Sequence, residues 1–196
     1  MQCLLTVRIN DPFAKTVVFV LLLPTLLFVS SCKKDDRSFT LRQGNDLLEV
    51  SLQKMNDSLY HINLAVNGKR HDQWPLEYPV YRFDYGEIRE NGQTDIAVGV
   101  IKPTRFFTNS DKRLFLFKIT DDYYVRPLWL GSRVAQPLED FRLTSKTGKS
   151  LVRTLEKEKS GRYLVANYRW QGFGLAFDGY VKREISLSEA QKLLDK

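Results

Sequence analysis

The sequence predicts an all-β fold of antiparallel meanders, propeller-like or β-sandwich, with a short C-terminal helix. Three observations carry this prediction. Runs of alternating apolar and polar residues recur between Asn, Asp and Gly turn residues, no helical period interrupts them, and one helix-start signal stands near the end. The chain has 196 residues, 43% hydrophobic and 12% aromatic. That is enough apolar surface for a core, and a length that favours one folded domain over two.

In chain order, the first element is an apolar run of 13 residues from Val17 to Val29, with Arg8 and Lys15 before it. As a helix it would span about 20 Å, short of a hydrocarbon layer of about 30 Å. That length fits the apolar region of a signal peptide. The run ends in Val29-Ser30-Ser31-Cys32, where small residues precede a nucleophilic thiol. This resembles the lipobox of bacterial lipoproteins, and the resemblance implies cleavage before Cys32 and acylation of that residue. Asp11, inside a long leading segment, departs from the usual pattern. Lys34-Asp35-Asp36 follows; it is similar to the surface-export tag of outer-membrane lipoproteins in one Gram-negative phylum. The expected organisation is a signal peptide over 1–31, a charged tether over 32–37 and a β-rich domain over 38–196. The address it implies is the outer membrane, lipid-anchored and facing the cell surface. Two or three acyl chains hold a protein firmly, where one binds marginally. Cys3 and Cys32 are the two cysteines, so Cys32 has no competing disulfide or cysteine-metal role after cleavage.

The strands come next. Leu48 to Leu52 and Leu59 to Val66 alternate, with Asn56-Asp57 between them and the turn pair Asn67-Gly68 after them. Ile96 to Ile101 is a continuous apolar run, and Leu114 to Lys118 and Tyr124 to Trp129 flank Asp121-Asp122. Phe141 to Leu143, Leu151 to Leu155, Tyr163 to Trp170 and Leu175 to Val181 complete the series. They fall into three groups, near 38–79, 80–136 and 137–185, each able to form a four-stranded meander. Ser186-Leu187-Ser188-Glu189 has capping-box spacing before Ala190, Leu193 and Leu194.

Phe83 to Gly99 carries the one stretch with chemical content: an acid-rich loop, Asn91-Gly92, and then Asp95-Ile96-Ala97-Val98-Gly99. It resembles the FG-GAP type of propeller repeat. On that likeness Glu87, Asn91 and Asp95 fall at the places of oxygen ligands for calcium, a hard cation that takes six to eight of them. Arg89 stands where another acid would be expected, and a guanidinium offers no lone pair. It argues against calcium and for a plain hairpin turn.

His61 lies in an alternating strand and His71 in a polar stretch read as a loop. Two histidines without cysteine do not make a structural zinc site. No nucleophile elbow, phosphate loop or dinucleotide fingerprint appears. Glu139, Asp140 and Asp178 are the carboxylates to consider for glycoside hydrolysis. Trp129 and Trp170 sit beside Gly and Arg, and Trp74 is read as a loop residue. Exposed, these rings stack on sugars or lipid headgroups; buried, they are core.

From Cys32 onward there are 28 basic against 22 acidic side chains, dispersed along the chain. On a cell surface that balance suits anionic glycans or lipopolysaccharide phosphate, and both export and dispersion argue against nucleic acid. The expectation is a binding or assembly module without catalysis, with glycan or envelope proteins as partners. A glycan-active enzyme or a structural envelope component are the alternatives.

Overall fold

The computed structural model describes residues 37–103, 108–131, 134–146 and 148–196. Cys3, Cys32 and the tether residues Lys34, Asp35 and Asp36 lie outside the described residues.

Twelve strands and one helix are described. They are β1 Ser38–Gln43, β2 Asp46–Lys54, β3 Tyr60–Val66, β4 Lys69–Leu76, β5 Val80–Gly86 and β6 Asp95–Lys102, then β7 Asp111–Ile119, β8 Val125–Leu130, β9 Leu138–Lys146, β10 Lys149–Lys157, β11 Tyr163–Gln171, β12 Gly174–Ile185 and α1 Leu187–Leu194. They form three four-stranded antiparallel meanders, β1–β4, β5–β8 and β9–β12, paired in chain order. The three groups read from the sequence are these three sheets. Among the described residues no helix is long and apolar enough to cross a membrane.

Local chemistry sets the turns. Asn67-Gly68 joins Val66 to Lys69 with φ of 51° and 75°, the left-handed pair that a tight hairpin needs. Its Asn67 side chain also accepts from Leu47 N at 2.9 Å and donates to Asp46 Oδ1 at 2.7 Å. At the other end of the chain, the Ser186 hydroxyl caps α1 by accepting from Glu189 N at 3.3 Å.

The sheets stack face on face, and the middle one is covered on both sides. Ile96, Val98, Val100, Phe115 and Phe117 pack against Leu48, Val50, Ile62 and Leu64 of the first sheet. Their chain neighbours Ala97, Leu114 and Leu116 pack the opposite way, against Phe141, Val152, Leu164 and Ala166 of the third. Double coverage explains why β6 reads as a continuous apolar run rather than an alternating one.

The two outer faces end differently. On the first sheet, Gln53, His61, Asn63 and Gln73 form a polar ladder, with Asn63 donating to Gln53 at 3.1 Å and Gln73 to Asn63 at 3.0 Å. Gln73 also meets the half-buried His61 ring. On the third sheet, α1 lays Ala190 and Leu194 over Leu155, Val165 and Ile185.

Two readings need correction. Trp74 and His71 belong to β4 rather than to a loop. The stretch Lys69–Leu76 shows no alternation because β4 is the outer strand of its sheet, and Pro75 is tolerated there because an edge strand has an unpaired side. Pro127 on β8 is the same case.

Polar links join adjacent sheets. Tyr123 donates to Asp46 at 2.7 Å, and Asp72 accepts from Val125 N at 2.8 Å. Between the second and third sheets, Arg82 holds Asp140 and Lys112 reaches Glu139 at 3.1 Å. Glu156, fully buried, accepts from Thr154, Tyr168 and Gln136 N at 2.6, 2.9 and 2.6 Å. These bonds pin the segment that leads into β9.

Candidate functional site

The calcium-like loop lies between β5 and β6; Glu87 and Asn91 are exposed, while Asp95, the first residue of β6, is buried. Asp95 is 0% exposed and pairs with Arg89, whose Nη2 lies 2.8 Å from Oδ1 and whose Nε lies 3.0 Å from the same oxygen. Ile88 N adds a contact to Oδ2 at 3.4 Å. Burial pushes the Asp95 carboxyl above the usual range, against the pull of Arg89. Arg89 also donates to Gln93 at 3.0 Å. Glu87 accepts from Gly92 N at 2.6 Å and Asn91 from Gln93 N at 3.2 Å. Arg89 thus supplies the positive charge at this loop, and Glu87 and Asn91 tie off its backbone.

The three tryptophans stand in three settings. Trp74 is half-buried, 6.0 Å from the Phe117 ring, and lines a shallow apolar groove of about 130 Å³ with Tyr78, Phe115 and Leu130. Trp129 is half-buried in the core between the second and third sheets. A methyl group at Gly131 would overlap its ring, so glycine there permits the close approach. Trp170, at the end of β11, packs on the same core but also lines a cleft.

That cleft, about 200 Å³, is lined by Glu90, Lys149, Leu151, Arg169, Trp170, Gln171 and Asp178. Four places in the chain meet there: the β5–β6 loop, the start of β10, the end of β11 and the middle of β12. Leu151 and Trp170 form its apolar part, while the polar groups around them are exposed. Arg169 and Asp178 stand 3.9 Å apart. Glu90, Lys149 and Gln171 have no side-chain hydrogen bond or ion pair among the described residues. Glu90 also holds a left-handed backbone, with φ 54°, a conformation that costs a non-glycine residue about 1–2 kcal/mol.

Two residues after the cleft-lining Gln171, Phe173 tips the β11–β12 hairpin at 92% exposure. Phe177 and Tyr180 continue along β12 with ring centroids 4.7 Å apart, and Phe177 meets Tyr168 edge-on at 5.8 Å. Phe173 was not singled out from the sequence. The flanking Gly172 and Gly174 were the available signal, since such glycines mark a hairpin turn. Glu90 and Lys149 carried no such signal.

Of the carboxylates considered for catalysis, Asp140 is held by Arg82 and Arg142 and Glu139 by Lys112. Only Asp178 of the three lines the cleft, where it is joined by Glu90. Among the described residues no group of three or more His, Cys, Asp or Glu is placed to hold a metal ion. The chain matches no family model, no curated protein and no solved structure.

Proposed function

We propose that this chain is a lipid-anchored binding or assembly module of the bacterial envelope, held by acyl chains on Cys32 and facing the cell surface. Its recognition site is the Trp170 cleft. The observation that carries the site is the convergence there of unengaged polar groups on a partly buried indole. Arg169 and Asp178 pair across the cleft, while Glu90, Lys149 and Gln171 have no side-chain partner among the described residues. An aromatic floor with a few polar groups is the composition of a recognition site. The anchor rests on the Val29-Ser30-Ser31-Cys32 and Lys34-Asp35-Asp36 patterns.

Two experiments test the reading. Cells fed a labelled fatty acid should acylate the protein, lose the label with Cys32→Ala, and expose the wild-type chain to added protease without lysis. Pull-down from solubilised envelope should then recover a component that Trp170→Phe releases. Absence of label, or recovery indifferent to Trp170, would sink the corresponding half.

A second reading, a glycan-active enzyme of the same compartment, is favoured by one observation: Glu90 and Asp178 line one cleft. Paired carboxylates are the machinery of glycoside hydrolysis. Turnover of an envelope glycan that Glu90→Gln and Asp178→Asn both abolish would establish it over simple binding.

A further inference from the structure

We infer that the Trp170 cleft takes a single neutral pyranose ring, the terminal unit of a longer saccharide. This rests on the proposal that the cleft is the recognition site, and it names the ligand class. Size comes first. About 200 Å³ is below the range of roughly 300–1,000 Å³ typical of sites that enclose a drug-sized molecule. One ring fits and the rest of a chain must lie outside. Charge comes second. Glu90 and Asp178 are balanced by Lys149 and Arg169, so the lining has no net attraction for an anion such as a phosphate.

The chemistry of the lining then selects among neutral ligands. An indole face is electron-rich, and the C–H groups on one face of a pyranose ring carry the complementary partial charge. Trp170 is fixed by its packing on the core between the second and third sheets, so stacking on it costs little ordering. Around the ring edge a sugar presents hydroxyls that both donate and accept. Glu90 accepts, Lys149 donates and Gln171 does both. None of the three has a partner to give up among the described residues. A purely apolar ligand would leave these groups unused, and an anion would meet Glu90 and Asp178.

Phe173, two residues after the cleft-lining Gln171, and Phe177, one residue before the cleft-lining Asp178, are exposed aromatic side chains on the same hairpin. They give the next units of the saccharide apolar faces to lie along, which a single ring would not use.

The test uses the full chain in a sugar-free detergent. The indole N–H resonance of Trp170 is followed while maltose, cellobiose, lactose, mannobiose or chitobiose is added. At least one should shift it saturably with a dissociation constant of millimolar order. Glu90→Ala and Gln171→Ala, both on the surface, should each weaken that binding about tenfold while leaving the remaining spectrum in place. If no disaccharide moves the resonance up to its solubility limit, or if inorganic phosphate binds there more tightly than any sugar, the inference is overturned. Should the pull-down still depend on Trp170 in that case, the binding-module reading stands and only the ligand class falls. Sugar binding by a chain that is not acylated at Cys32 would support the pyranose site and remove the anchor instead.

Discussion

The loop over 87–95 and the cleft at Trp170 meet at Arg89 and Glu90, and they use charge in opposite ways. Arg89, 17% exposed, turns inward onto a fully buried Asp95. Glu90, one residue on, turns outward into the cleft with no partner among the described residues. The first region is a polar cluster that closes on itself, which is how a buried charge becomes tolerable. The second holds its hydrogen-bonding capacity in reserve. On the proposed reading, neighbouring residues in one acid-rich loop divide between stability and recognition, and mutation should separate the two.

The largest effect is expected from Arg89→Ala. It strands the Asp95 carboxylate in the core, and loss of one partner from a buried pair costs about 3–5 kcal/mol. Urea denaturation should show the midpoint falling at unchanged slope. The double change Arg89→Met with Asp95→Leu should recover most of that loss, because it removes the stranded charge as well. If the single variant is as stable as the parent, the pair does not hold the loop.

Arg89→Asp probes the same residue from the metal side. It should be destabilised without calcium and regain stability when calcium is added, read as a rise in Tm, since a further oxygen joins Glu87, Asn91 and Asp95. An equal Tm with and without calcium would leave the likeness to FG-GAP loops one of topology alone. On the other side of the comparison, Glu90→Ala and Gln171→Ala should change stability by no more than about 0.5 kcal/mol, although both reduce binding. A large loss from either would place it with the structural group.

The smallest effect concerns pH. The hydroxyl of Tyr123, followed by the amide of Asn67, holds the Asp46 carboxyl below its ordinary value. A folded pKa below the unfolded one gives stability that is present above the unfolded value, about 3.9, and lost as pH falls through the folded one. Tyr123→Phe should move the Asp46 titration upward in a carboxyl NMR experiment, and should flatten the acid limb of the stability profile. An unmoved titration would show that Asn67 suffices.

Much of this architecture could be read from residues alone. The Asn67-Gly68 hairpin, the Ser186 cap, the three groups of strands and the doubly buried Ile96–Ile101 run all declare themselves through local chemistry. Lys69–Leu76 did not, because an edge strand carrying Trp74 and Pro75 lacks both alternation and a proline-free run. Arg89 was legible as a cation within the loop but not as the partner of Asp95. The cleft was hidden for a different reason. Glu90, Lys149 and Asp178 are far apart in sequence and become neighbours only when the second and third sheets dock. Trp170 was visible as a candidate; what surrounds it was not.

The unlike coverings of the outer sheets have a consequence for how this molecule behaves among its own copies. Stacked sheets resemble a one-dimensional lattice, in which each layer contacts only its neighbours and a bare terminal layer would recruit another. One terminus here is covered because its side chains hydrogen-bond to each other, and the other because α1 lies over it, tied down by Lys182–Glu189 and Arg153–Leu193 contacts. The two ends therefore differ in kind: the first is closed by polar side chains of the sheet itself, whereas the second owes its closure to one short helix over Leu155, Val165 and Ile185.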